Sequence, residues 1–269
     1  MTGDLIALGP VQLVVATGLV AIAGAISLLL RLGLEKRLAI AALRTVIQLG
    51  LVGLILERVF ALRNPWLVVG LVLVMTVFAA REAVARATRG YRGIGADAWL
   101  AIAGSCLIVG SIVTQVVVGV EPWYHPQYVI PLIGMILGNS LTGIAISLDR
   151  FLEHLAVRSA EVELFIAYGA TRREALTPPL RAAVRTGMIP IMNSMAAAGI
   201  VALPGMMTGQ ILAGSPPLQA VAYQIVVMFM IAAAASFGSM AAAVIAGRRL
   251  VGPDGTLRLD KLREKTNGG

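Results

Sequence analysis

Seven long apolar runs, parted by short arginine-rich connections, leave few folds open to this chain. They can be drawn at 10–30, 38–56, 65–80, 98–120 and 128–148, then from 187 onward with a break at Pro204-Gly205, and finally at 217–247. A helix that crosses a bilayer needs about 20 apolar residues, within a range of about 17–25. The third run is short by that measure, and it reads as continuing into an amphipathic helix through residues 81–92. The expected fold is an all-α integral membrane protein of about seven transmembrane helices. Composition agrees: 58% of residues are hydrophobic and 13% charged, against about 25% charged in soluble proteins.

Cation placement sets the expected orientation. Arg31, Lys36 and Arg37 fall on one side with Arg81, Arg86, Arg89 and Arg92. The arginines from Arg150 to Arg185 join them, as do Arg248, Arg249, Arg258, Lys261, Arg263 and Lys265. That side holds nineteen cations and the other holds two, Arg58 and Arg63. The split puts the N-terminus outside and the C-terminus in the cytoplasm. The net charge of +8 does not point to nucleic acid, because the cations sit beside apolar runs without interleaved aromatics. The first run starts after Asp4, with no cation before Arg31, and is too long for the apolar core of a signal peptide.

Enzyme chemistry finds little to work with. Cys106 is a lone cysteine inside an apolar run, which suits a packing residue. His125 and His154 fall on opposite sides of the membrane in this topology. Neither a zinc-protease spacing nor a nucleophilic triad can be assembled from them. His125 lies in the connection 121–127, where Trp123 and Tyr124 suit the water–lipid interface.

The longest polar stretch, 159–187, lies between two apolar runs on the cation-rich side. Val162, Phe165, Ile166 and Gly169 follow helical spacing there. Gly169 marks a turn, a second charged stretch follows, and Pro178-Pro179 is expected to stop the helix. A short helix, a glycine and a second helix between two spans has the shape of a docking loop for a soluble partner. An ordinary solvated loop is the plain alternative.

At 203–217 the chain reads LPGMMTGQILAGSPP. Broken backbone at membrane depth is tolerated only against protein or a water-lined cavity. Pro204 and Gly205 therefore suggest a kinked helix end or re-entrant turn forming an outer gate, with Met206, Met207 and Gln210 beside it. A simple loop is the alternative. Arg44 and Gln48, four apart, share a helical face. An arginine within a span is expected to face a bundle or cavity, or to snorkel. Asn139 and Asn193 can bond across helices or meet a substrate. No acidic residue can be placed inside a span. Met206 and Met207 are weak metal candidates, since thioethers suit copper(I) better than iron.

Two resemblances follow from these residues. Glu163, six positions before Gly169-Ala170-Thr171, resembles the coupling loop of ABC-transporter permeases. The chain departs from that loop at Pro178-Pro179-Leu180. The stretch 203–225, with Arg44–Leu49 (RTVIQL) and Met135–Ser140 (MILGNS), resembles the FetB-type family, the permease subunits of iron-export ABC transporters, over nearly the whole chain. The resemblance implies one permease domain over residues 1–251, with a cytoplasmic coupling loop at 149–187 and a short cytoplasmic tail at 252–269. It also implies a bacterial inner-membrane location, a homodimer, and a separate FetA-type cytosolic ATPase. ATP and Mg would belong to that partner, and the chain would hold no cofactor and be no enzyme itself. No phosphate-binding loop occurs in the sequence. By the same resemblance Glu161, Glu163, Gly169, Ala170, Thr171, Arg172 and Arg173 would couple to the ATPase. From the residue reading above, and not from the resemblance, Arg44, Gln48, Asn139, Asn193, Pro204, Gly205, Met206, Met207 and Gln210 are the candidates to line the path or gate. A stand-alone secondary transporter or channel, and an ABC permease for an organic cargo, are the alternatives.

Overall fold

The structure, a computed structural model, describes residues 9–252 and 254–264. Asp4 and Lys265, used in the sequence reading, lie outside them. The chain falls into two compact units. The smaller contains α1 (Pro10–Leu29) and α2 (Glu35–Leu62). Their connection is tight, with Arg31 and Gly33 both at positive φ. Ser27 secures it: its hydroxyl donates to Glu35 Oε2 at 3.2 Å and accepts from the Leu34 amide at 3.0 Å. Along both helices Val, Leu and Ile side chains stand exposed, and among the described residues of these helices only Ser27 and Val59 are buried. An apolar surface of that extent is at home in lipid rather than water.

The larger unit is a helical bundle built on α5 (Pro126–Val157). Helix α5 packs against α3 (Pro65–Arg86), α4 (Ile94–Ser111), α7 (Arg172–Ala197) and α9 (Pro217–Leu250). Ile102, Ile136, Ile144 and Ala234 are completely buried in its centre. Helices in lipid associate by close packing, which favours small residues where they cross. Gly143 of α5 and Gly187 of α7 are such a crossing. A Cβ added to Gly143 would lie 2.7 Å from the Gly187 carbonyl oxygen. Beside it the Ser147 hydroxyl donates to the Ala183 carbonyl at 3.0 Å, joining α5 to α7.

Among the described residues six helices are long and apolar enough to cross a membrane: α1, α2, α3, α4 with its π-helical extension Ile112–Val117, α5 and α9. The sixth expected span is the second half of α7. The first half carries Arg172, Arg173, Glu174, Arg181 and Arg185, so the helix as a whole is not apolar enough to count. Pro178-Pro179 does not stop α7. The helix runs through both prolines and through Pro190. Leu176, Pro179 and Ala183 are buried there, and such tertiary packing overrides local preference. The third span does continue past residue 80, but it ends at Arg86. Residues beyond it turn, form β1 (Arg89–Gly90), and reach Gly93 at φ +95°.

The tail folds back rather than trailing free. Val251 bridges to Leu257, and β2 (Arg263–Glu264) pairs antiparallel with β1. The Arg89 guanidinium donates to Glu264 at 2.8 Å across that pair.

Candidate functional site

Two places collect the residues singled out in the sequence. The first is α6 (Ser159–Ala167), which joins α5 to α7 at the arginine-rich end. Val162 is its anchor, completely covered in a cluster with Phe151, Leu152, Leu155 and Leu250. Ile166 rests on that cluster and on the tail. A Cβ on Gly255, which sits at φ +81°, would lie 2.7 Å from Ile166 Cγ2. Phe165 does not share this inward face. Leu164, Phe165 and Tyr168 are 57%, 49% and 84% exposed, beside exposed Glu161 and Glu163. The short helix is thus held from behind and presents an apolar patch with acids at its edge.

Gly169 leaves α6 at φ +89°, a conformation that costs a side chain dearly. A Cβ there would touch nothing, so the glycine serves the turn and not a close approach within this chain. Ala170 follows, half-buried. Thr171 then caps α7 in a reciprocal arrangement. Its hydroxyl accepts from the Glu174 amide at 3.3 Å, while Glu174 Oε2 accepts from the Thr171 amide and hydroxyl at 2.8 Å. These bonds hold the Glu174 carboxyl below the usual range. Arg172 turns inward, donating to the Val251 carbonyl just past α9 at 3.4 Å. Arg173 stays exposed. Glu161 pairs locally, with Arg158 at 3.5 Å and His154 at 3.9 Å.

The second place is the opposite end of the bundle, where α5 and α9 begin and α7 stops. After Ala197 the chain turns at Gly199 (φ +83°), passes Pro204, and forms the short helix α8 (Gly205–Leu212). A cavity of about 460 Å³ opens there, lined by Met195, Met207 and Met228, by Leu203 and Pro204, and by Gln224. Gln224 Oε1 and Gln210 Oε1 are buried without a hydrogen-bond partner among the described residues. Met206 packs instead on the central apolar cluster, so the two methionines part company. Among the described residues no cluster of His, Cys, Asp or Glu could hold a metal ion. Asn139 bonds within its own helix, to the Met135 carbonyl at 2.9 Å, and not across helices. Asn193 is exposed on α7, and Arg44 and Gln48 are exposed on α2.

One residue escaped the sequence reading altogether. Asp97, in the first turn of α4, is buried at 3% exposure. Arg249 near the end of α9 grips it with two bonds of 3.1 and 3.2 Å, and the Tyr91 hydroxyl donates to it at 3.0 Å. Burial, followed by the neighbouring Asp97 charge, raises the Tyr91 phenol far above its ordinary range. Asp97 lies one position before the drawn fourth span. The sequence signal was an acid at a helix start with an arginine pair closing a distant helix.

Residues 10–251 match the uncharacterised protein family UPF0014. The chain is 38% identical to the UPF0014 membrane protein slr1647 of Synechocystis, over 74% of this chain and 77% of that one. It is 31% identical to the Arabidopsis thaliana protein ALUMINUM SENSITIVE 3, over 78% and 75%. It is 30% identical to the probable iron export permease protein FetB of Escherichia coli, over 94% and 96%. No solved structure matches it. With apolar spanning helices and these membrane-protein relatives, the chain is a multi-pass membrane protein belonging to the UPF0014 family.

Proposed function

We propose that this chain is the transmembrane subunit of an ATP-driven ABC exporter for iron or another metal species. In this reading it works as a homodimer with a separate cytosolic ATPase and sits in a bacterial cytoplasmic membrane, with the N-terminus outside and α6 and the tail in the cytoplasm. The observation that carries it is α6, a short helix between two long ones. It is anchored by Val162 and Ile166, yet leaves Leu164, Phe165 and Tyr168 exposed. Exposed apolar patches of this kind mark interaction sites. Closure of the ATPase would push α6, and α5 and α7 would pass the motion to the cavity beside Pro204. The cargo and the direction rest on likeness to the FetB permease. ATP and Mg would be held by the partner.

A second reading, an organic cargo, is favoured by the cavity itself. Its lining is apolar apart from Gln224 and, among the described residues, offers no carboxylate or imidazole, the donors that ferrous iron prefers. The test is ATPase activity of the purified chain with a candidate ABC ATPase in lipid nanodiscs, with and without ferrous iron. Iron-stimulated hydrolysis in a stable complex supports the metal exporter. Hydrolysis indifferent to iron keeps the permease and favours the organic cargo. Absence of any complex overturns the exporter. Glu163→Arg and Gly169→Arg are expected to uncouple hydrolysis from transport while the protein still inserts, and normal transport in both would refute the docking assignment.

A further inference from the structure

A second cavity, of about 690 Å³, lies between α5, α7 and α9 at the arginine-rich end. Arg172, Arg173, Arg181 and Arg248 line it, and among the described residues no carboxylate does. The nearest acids in sequence are engaged elsewhere, Glu174 with Thr171, Glu153 with Arg150 and Asp149 with Thr88. Only Arg172 has a partner described above, and that partner is a neutral carbonyl. The floor is the reverse of the rim: Leu176, Leu180 and Val244 are apolar.

The floor continues outward along α9. Phe237, Met240, Val244 and Arg248 are spaced three, four and four apart, so they share one helical face. Phe237 and Met240 are 54% and 46% exposed. From Phe237 to Arg248 the helix rises about 16 Å, roughly half of the ~30 Å hydrocarbon core. A cluster of arginines thus stands at the foot of an apolar strip one leaflet long.

We propose that this cavity binds an anionic phospholipid from the leaflet at the arginine-rich end. The phosphate sits among Arg173, Arg181 and Arg248, and an acyl chain lies along Val244, Met240 and Phe237. Charge complementarity selects the headgroup, because guanidinium groups match phosphate geometry. The exposed strip distinguishes a lipid from a free phosphate, which would have no use for it. The inference rests on the membrane character of the chain and not on the exporter reading.

Native mass spectrometry of the purified full chain tests it, with dioleoylphosphatidylglycerol, dioleoylphosphatidylcholine and glycerol 3-phosphate as probes. One phosphatidylglycerol per chain is expected to survive, held about ten-fold or more tighter than phosphatidylcholine. Arg181→Gln with Arg248→Gln should abolish the preference, and the paired Lys substitutions should keep it. Val244→Trp fills the floor without changing charge and should also lose the lipid. Equal retention of both lipids overturns the proposal, as does full displacement by equimolar glycerol 3-phosphate. Unchanged preference in Val244→Trp would reduce the effect to surface charge and overturn the site. Loss of ATPase binding in the Gln pair, with lipid preference intact, would assign the cavity to a protein partner instead.

Discussion

The two ends of the larger unit are built on opposite rules. At the arginine-rich end the acidic side chains find partners: Asp97 with Arg249 and Tyr91, Glu174 with Thr171, and Asp149 with the amide and hydroxyl of Thr88 at 2.7 Å. At the other end His125 Nδ1, Gln210 Oε1 and Gln224 Oε1 are buried unpaired among the described residues, and the backbone breaks around Pro204. Paired polar groups rigidify a structure, whereas partly satisfied ones mark where it can change. In the exporter proposed above, force would enter through the stiff end and the loose one would yield.

Breaking the stiff end should have the largest effect. Arg249→Ala takes both guanidinium bonds from the buried Asp97 and leaves it the Tyr91 hydroxyl alone, and should give the largest loss of stability in this set. Asp97→Asn leaves only a half-exposed guanidinium and should cost clearly less. Thermal denaturation of both variants in detergent checks this asymmetry, and equal losses would show that Asp97 is not the constrained partner. Gly187→Val drives a side chain into Ser147 and the Gly143 backbone, and should cost about 2 kcal/mol. Its readout is the yield of monodisperse protein.

Smaller effects sharpen the comparison. Thr171→Ala removes the α7 cap and should cost about 1 kcal/mol. Because the Glu174 pKa is lowered on folding, the part of the cap that its carboxylate supplies is full above the ordinary carboxylate range, while the Thr171 bond to the Glu174 amide does not titrate. The carboxylate part fades as pH falls through the depressed value. A wild-type to Thr171→Ala difference with no pH dependence at all would contradict the part that the Glu174 carboxylate supplies. At the loose end Gln224→Leu replaces an unsatisfied group by an apolar one of similar size. It should fall within about 1 kcal/mol of neutral, on either side, and a large loss would mean that Gln224 has a partner after all.

Much of this was legible in the sequence because lipid is a demanding solvent. Apolar runs set the starts of α1, α2, α3, α5 and α9 to within three residues, but α2, α3 and α5 run six to nine residues past the drawn ends, and Gly169 was read correctly as a turn. Helix α7 was misread because Pro178-Pro179 is a strong local stop signal, and only the packing of Leu176 and Ala183 overrides it. The inward face of α6 was half right: Val162 and Ile166 are covered, Phe165 is not, and a nine-residue helix gives too little periodicity to choose. Asp97 was invisible because its partner Arg249 is more than a hundred residues away, and no single-chain pattern joins them. The folded tail was missed for the same reason.

The most direct test of the docking helix is site-specific photo-crosslinking with a purified candidate ABC ATPase, the crosslinker placed in turn at Phe165, Tyr168 and Phe237. All three side chains are exposed, but only the first two belong to the α6 patch. The account predicts capture of the ATPase at Phe165 and Tyr168 and none at Phe237. Capture at Phe237 alone, or equal capture at all three, would contradict it.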